Sequence, residues 1–310
     1  MKQNIIKCCD YFSYIRTTRF IRLDILSLLF LIITTGAKSQ YLIRSLSSIP
    51  EVSMELSTQT SHYSPMFGAG DDSSKIIKGV NRFGYLTIDT GGRSNIVKLA
   101  EEELVLFVLD GTGILYYGKE KVPVSKNDFM YIPVGTKFGF SNPREKSLSV
   151  MVMGFKIPSD TIIRATPILM IANAGEVPFQ VLGSHGLTTQ FQLLMGTIES
   201  IRDRLAAAYQ VTSLFIMDFA AGGTNIPHRH DDEEEIYFIL RGHGEIVAGE
   251  TSDGKELRHL SKEGDAYFFS PKTLIGFYSG NKEGEEHARI LAVRFKYPSQ
   301  SQDKTGNKLK

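Results

Sequence analysis

The sequence predicts an all-β protein built from two tandem barrel or sandwich domains. Three observations carry that prediction: short apolar runs bounded by turn residues, a repeat of those runs at one offset, and a single stretch with helical spacing. At 310 residues the chain is long enough for two compact domains, each with its own core. Hydrophobic residues make up 42% and charged residues 22%, the proportions of an ordered globular chain rather than a disordered or fibrous one. A formal net charge of +1 creates no field that would draw phosphate backbones or anionic membranes, so nucleic acid is not an expected partner.

Residues 1–39 read as an export signal. Lys2, Lys7, Arg16, Arg19 and Arg22 precede the apolar run Ile25 to Ile33, and Ala37-Lys38-Ser39 then offers small residues at both positions of a cleavage site. The run is shorter than the roughly 20 apolar residues of a spanning helix, so cleavage is expected. An uncleaved anchor is the alternative, because the leader is long and contains Asp10 and Asp24. The expected protein is periplasmic or secreted and meets a membrane only through this signal. Both cysteines, Cys8 and Cys9, lie inside it, which excludes a disulfide framework or thiolate metal site in the rest of the chain.

Residues 40–74 are rich in Ser and Thr without a sustained period and are expected to form a flexible lead-in, either a tether or a loosely packed strand. Residues 75–158 hold the runs Leu104 to Leu109, Gly113 to Tyr117, Phe129 to Ile132 and Ser147 to Phe155, the texture of a first barrel. In the connecting segment, 159–210, Ile198, Ile201 and Leu205 predict a helix over Thr197 to Ala208, next to entry strands of the second barrel. Residues 211–298 repeat the barrel texture, and 299–310 are expected to be a disordered tail. An offset of 131 lays Gly91 on Gly222, Leu104 on Glu235, Gly111 on Gly242 and Gly113 on Gly244. Asn127-Asp128 and Gly139-Phe140 then match Gly264-Asp265 and Gly276-Phe277 after a small insertion that belongs in a loop. Tandem duplication of one β domain accounts for this.

The stretch from Gly222 to Gly242, GGTNIPHRHDDEEEIYFILRG, carries the chemistry. His228 and His230 are two apart, so on an extended strand both imidazoles leave the same face. Glu235 opens a strand on which Glu235, Tyr237 and Ile239 share one face and Ile236, Phe238 and Leu240 the other. If the two strands are adjacent, two imidazoles and a carboxylate converge with coordination positions left open, a set suited to one divalent ion such as Mn, Fe, Zn or Ni. The rest of the acidic run from Asp231 is expected to be a solvated turn. Tyr237 is the candidate catalytic neighbour, able to hydrogen-bond a bound water or substrate, although a satisfied core tyrosine is the commoner outcome.

The spacing of Gly222, His228, His230, Glu235 and Gly242 is similar to the first motif of the cupin superfamily at every defined position. The second motif is matched in part: Gly264-Asp265 and Pro271 resemble its start, but Thr273 stands where a glycine is expected, Gly276 where a fourth histidine ligand is expected, and Asn281 one place beyond the terminal asparagine. The resemblance implies two cupin-like double-stranded β-helix, or jelly-roll, barrels. In the first, the ligand positions become Val97, Leu99 and Leu104, with Phe138 at the place of the missing histidine, and bind no metal.

His259 and His287 are the remaining candidates for a fourth ligand, with surface roles expected for both, while His243 between turn glycines and Arg229 and Arg241 are expected at the surface. His62 and His185 carry no signal. The family includes dioxygenases, decarboxylases, isomerases and an aminohydrolase, so the resemblance implies a metal-dependent enzyme on a small organic substrate. A non-catalytic small-molecule or carbohydrate-binding cupin is the alternative, and both monomer and homodimer fit.

Overall fold

The computed structural model describes residues 40–163, 168–280 and 287–296. The predicted leader 1–39, the predicted tail 299–310 and Asn281 lie outside the described residues. In chain order the first strands are β1 (Tyr41–Ser45), β2 (Ser61–Gly68), β3 (Val80–Ile88), β4 (Val97–Lys98), β5 (Glu102–Asp110), β6 (Thr112–Tyr117) and β7 (Glu120–Ser125). Next come β8 (Asp128–Ile132), β9 (Lys137–Ser141), β10 (Leu148–Lys156), β11 (Met170–Asn173), β12 (Thr189–Thr197), β13 (Leu205–Ala208) and β14 (Val211–Phe219). The last are β15 (Thr224–His228), β16 (Glu233–Arg241), β17 (His243–Glu250), β18 (Glu256–Lys262), β19 (Asp265–Phe269), β20 (Ile275–Ser279) and β21 (Arg289–Lys296). They form two barrels, each from one large and one small sheet. The first has the sheets β11-β8-β5-β10-β3-β2 and β4-β9-β6-β7; the second has β1-β19-β16-β21-β14-β12-β13 and β15-β20-β17-β18.

The predicted duplication is visible strand by strand. β5 and β16 begin and end 131 residues apart, at Glu102 and Glu233 and at Asp110 and Arg241. The offset grows between the β6–β7 and β17–β18 hairpins, where two residues connect the first pair and five the second. Gly111 and its counterpart Gly242 both turn the chain at positive φ, 83° and 74°, where a side chain is strained.

The central strands of the large sheets, β5, β10 and β16 among them, are buried on both faces, which is why they read as unbroken apolar runs. Leu104, Leu106 and Val108 of β5 fill the first barrel, while Val105 and Phe107 pack outward into a core shared by the two barrels. In β16 Tyr237 and Ile239 line the second barrel, and Ile236 and Phe238 enter the shared core. The alternation predicted for Glu235 to Leu240 is thus the division between inside and interface.

Two expectations are corrected. Residues 40–74 are not a flexible tether but hold two paired strands: β1 pairs with β19 at the edge of the second barrel, and β2 pairs with β3 in the first. The segment lacks an apolar period because the partly exposed edge β1 buries little. The predicted helix over 197–208 is also absent. β12 ends at Thr197, a turn follows, and β13 runs parallel to the end of β12. The Ser200 hydroxyl bonds the Asp203 carboxylate and closes that turn, local bonding that competes with a helix, and Ile201 points fully into solvent. Ala207 and Ala208 enter the shared core from the strand instead.

Candidate functional site

His228 ends β15, His230 follows in the turn, and Glu235 sits inside β16. β15 pairs with β20 and not with β16, so the two strands are not adjacent as expected; they belong to opposite sheets of the barrel, and the turn between them folds the ligand set across its mouth. The result is still convergence. Nε2 of His228 lies 3.2 Å from Nε2 of His230, which lies 3.2 Å from Oε2 of Glu235. One donor atom from each residue falls within 4.8 Å of the others.

The chemistry of these atoms suits a cation. Nδ1 of His228 lies 2.9 Å from the carbonyl of Ile226, an acceptor only, so Nδ1 carries the proton and Nε2 presents a lone pair to the group. Burial holds the His228 pKa below the usual histidine range and keeps the ring neutral. Glu235 is 2% exposed, and its Oε2 has no hydrogen bond despite the nearby imidazole. A buried carboxylate oxygen aimed at two imidazole nitrogens is the arrangement that a divalent ion satisfies.

The turn itself is held from outside. The backbone N–H of Lys272 donates to the His230 carbonyl at 2.7 Å, and Arg229 donates to the Lys272 carbonyl at 2.6 Å while pairing with Glu250 at 2.7 Å. Arg229 therefore points away from the group, as predicted. The acidic run is less solvated than expected. Glu234 is fully buried and accepts from the backbone N–H groups of Lys78 and Gly79 in the other barrel at 3.0 and 2.7 Å, with burial raising its pKa to about 7. Glu233 pairs with Arg294 at 3.0 Å.

Tyr237 is buried beside Glu235 and lines the same cavity, but its hydroxyl accepts from Asn225 Nδ2 at 3.0 Å. Asn225 in turn meets Nδ1 of His185 at 2.5 Å, and the His185 ring stands edge-on to His228 with centroids 5.1 Å apart. His185, which carried no signal in the sequence, thus belongs to the site. It arrives on a short 3-10 turn, Gly183–His185, far upstream of the motif, and no spacing rule reaches that distance.

The position where the family's fourth ligand is expected is crowded. Gly276 lies opposite Pro227, and a Cβ there would come within 2.9 Å of the proline Cγ. Neither other candidate replaces it: His259 packs against Tyr41, and His287 is exposed beside Asp218. His62 pairs with Glu51 and Asp89 on the first barrel. That barrel holds Val97, Leu99 and Leu104 against its core. Its counterpart of Gly276 is Gly139 and not Phe138, because Phe138 pairs with Val97 as Ile275 pairs with His228.

A cavity of about 430 Å³ opens beside the ligand group, lined by Phe191, Phe215, Met217 and Tyr237 and by Arg202 and Arg294.

The cupin domain family matches the chain twice, over residues 84–154 and 215–294. Germin-like protein subfamily 2 member 1 of Arabidopsis thaliana is 36% identical over 81 residues, a match that spans 26% of this chain and 35% of that protein. Two solved structures share the fold over most of the chain. A deletion mutant of Bacillus subtilis oxalate decarboxylase OxdC has a TM-score of 0.60 at 12% identity, covering 82% of this chain and 76% of that one. The pirin YhhW from Escherichia coli, in complex with nickel(II), has a TM-score of 0.60 at 13% identity, covering 83% and 99%. With both matched segments lying on the two barrels, the chain belongs to the cupins as a two-domain member, a bicupin.

Proposed function

We propose that this bicupin binds one divalent metal ion in its second barrel through His228, His230 and Glu235, and uses it on a small organic substrate held in the adjoining cavity. The convergence of three donor atoms, one of them a buried carboxylate oxygen without a hydrogen bond, carries this reading. When bound, the ion would supply Lewis acidity or oxygen activation. The chain's own residues do the rest. Asn225, donating to Tyr237 and accepting from His185, leaves the Nε2 of His185 free to accept a hydrogen bond from a substrate. Tyr237, expected as a catalytic group, fits better as the anchor of Asn225, and the apolar wall of Phe191, Phe215 and Met217 excludes water from one side. The metal-bearing relative among the structures above, the nickel(II) complex of the pirin, supports the reading by fold. Export through residues 1–39 is part of the proposal, supported by the basic leader, the short apolar run and the small residues at 37–39.

Elemental analysis of the purified protein and of a Glu235→Gln variant tests the site. About one equivalent of a divalent ion is expected in the first and little in the second; no ion in either overturns the proposal. Turnover separates the enzyme from a non-catalytic binder, a second reading favoured by the sterically closed position at Gly276.

A further inference from the structure

The cavity beside the ligand group has a feature outside the cupin motifs. Arg294 is the cross-strand neighbour of Glu235 between β16 and β21, so both side chains leave the same face of the sheet, into the barrel. Ser213 of β14 is the neighbour of Arg294 on its other side, and Arg202 donates to the Ser213 hydroxyl at 3.1 Å. A row of Glu235, Arg294 and Ser213 therefore crosses the wall, with two guanidinium groups at one end and the ligand group at the other. Arg294 is 23% exposed, and among the described residues it has one ion pair, with Nε 3.0 Å from Oε2 of Glu233 but no hydrogen bond there. Its terminal nitrogens have no hydrogen-bond partner among the described residues.

The first barrel shows what a fully satisfied arginine looks like at this place. Glu102 is the counterpart of Glu233, and Gly154, cross-strand neighbour of Leu104, is the counterpart of Arg294. The arginine there is Arg82, from β3, 3% exposed and bonded to Glu102 at 2.7 and 3.0 Å and to Glu55 at 3.0 Å. Two carboxylates consume its fork, and the space is closed, since a Cβ on Gly154 would meet Glu102 Oε2 at 2.0 Å. In the second barrel one carboxylate lies beside Nε and leaves the planar fork open to the cavity. A largely buried guanidinium with an open fork is the recognition element for a carboxylate, which it can hold through two parallel hydrogen bonds.

We infer that the cavity takes an organic anion, a carboxylic acid on an apolar body about the size of one aromatic ring, with its carboxylate on Arg294. Its body lies against Phe191, Phe215 and Met217, which places its far side at His228, His230 and Glu235. The inference rests on reading this cavity as the ligand site, and not on which ion is bound.

Isothermal titration of the purified full chain with phenylacetate and with its neutral analogue 2-phenylethanol tests it, in metal-free and manganese-loaded forms. Phenylacetate is expected to bind at least tenfold more tightly than the alcohol. Arg294→Gln is expected to abolish that preference and Arg294→Lys to keep part of it. Metal content, measured separately, is expected to be the same in Arg294→Gln as in the wild type. Equal affinity for acid and alcohol in the wild type, no binding of the acid at millimolar concentration, or an unchanged preference in Arg294→Gln overturns the inference. A protein that prefers the acid yet binds no divalent ion refutes the metal proposal and leaves this one standing.

Discussion

Glu103 and Glu234, 131 residues apart in sequence, each reach out of their own barrel to accept backbone N–H groups of the other. Glu103 takes those of Tyr209 and Gln210 at 2.8 and 2.7 Å, just before β14, and Glu234 those of Lys78 and Gly79, just before β3. Tyr131 adds its hydroxyl to Glu103 at 2.9 Å. The duplication has thus made a reciprocal clamp across the shared core.

Truncating the clamp leaves buried donors without acceptors. Glu103→Ala is expected to destabilise the protein by about 3 kcal/mol, from unsatisfied buried N–H groups and a lost cross-barrel tie. Urea unfolding measures this, and a loss below about 1 kcal/mol would show that water replaces the carboxylate.

The same carboxyl gives a pH dependence of known sign. Burial raises the Glu103 pKa above its ordinary 4.5, against the pull of its backbone and tyrosine donors. A raised folded-state value means that the folded protein binds the extra proton. Its stabilising contribution is therefore complete below the ordinary value and lost as pH rises through the folded one. In Glu103→Gln the fall of unfolding free energy with rising pH above 4.5 is expected to be shallower than in the wild type, whatever the offset between the two proteins. Parallel slopes would contradict the assignment.

Glu235→Gln is expected to act in opposite directions with and without metal. In the metal-free protein it replaces a buried carboxylate, one oxygen of which has no hydrogen bond, by a neutral group and raises the melting temperature. Added Mn(II) or Ni(II) is expected to stabilise the wild type, by about 2.7 kcal/mol at a hundredfold excess over Kd, and to leave the variant unmoved. Thermal melts with and without chelator read both effects.

Restoring the histidine of the second cupin motif is not expected to restore a ligand. Gly276→His drives a side chain into Pro227, so a destabilisation of about 1–3 kcal/mol with no gain in metal affinity is expected. Tighter metal binding in this variant would show that β15 and β20 can separate.

The convergence of His228, His230 and Glu235 was legible in the sequence because three side chains within eight consecutive residues need only a strand, a turn and a second strand to meet. The fold was legible because inside and interface alternate along β5 and β16, and because the copies keep one offset up to a single hairpin insertion. His185 and Arg294 were not legible. One comes from a loop before β12 and the other from β21, and only barrel closure brings them to the same cavity. The helix over 197–208 failed for a related reason: three apolar residues at helical spacing cannot report that Ala207 and Ala208 fill a gap between barrels.

The outermost strands have changed places. β1 precedes every strand of the first barrel yet completes the sheet of the second, and β11, which follows the first barrel, closes that barrel's sheet against β8. Neither half is a module that can be cut out at the connecting segment: excised there, the leading half keeps a strand that belongs to its sibling, and the trailing half loses its outer edge. Whatever selection acts on the half that carries His228, His230 and Glu235 must carry the other half with it.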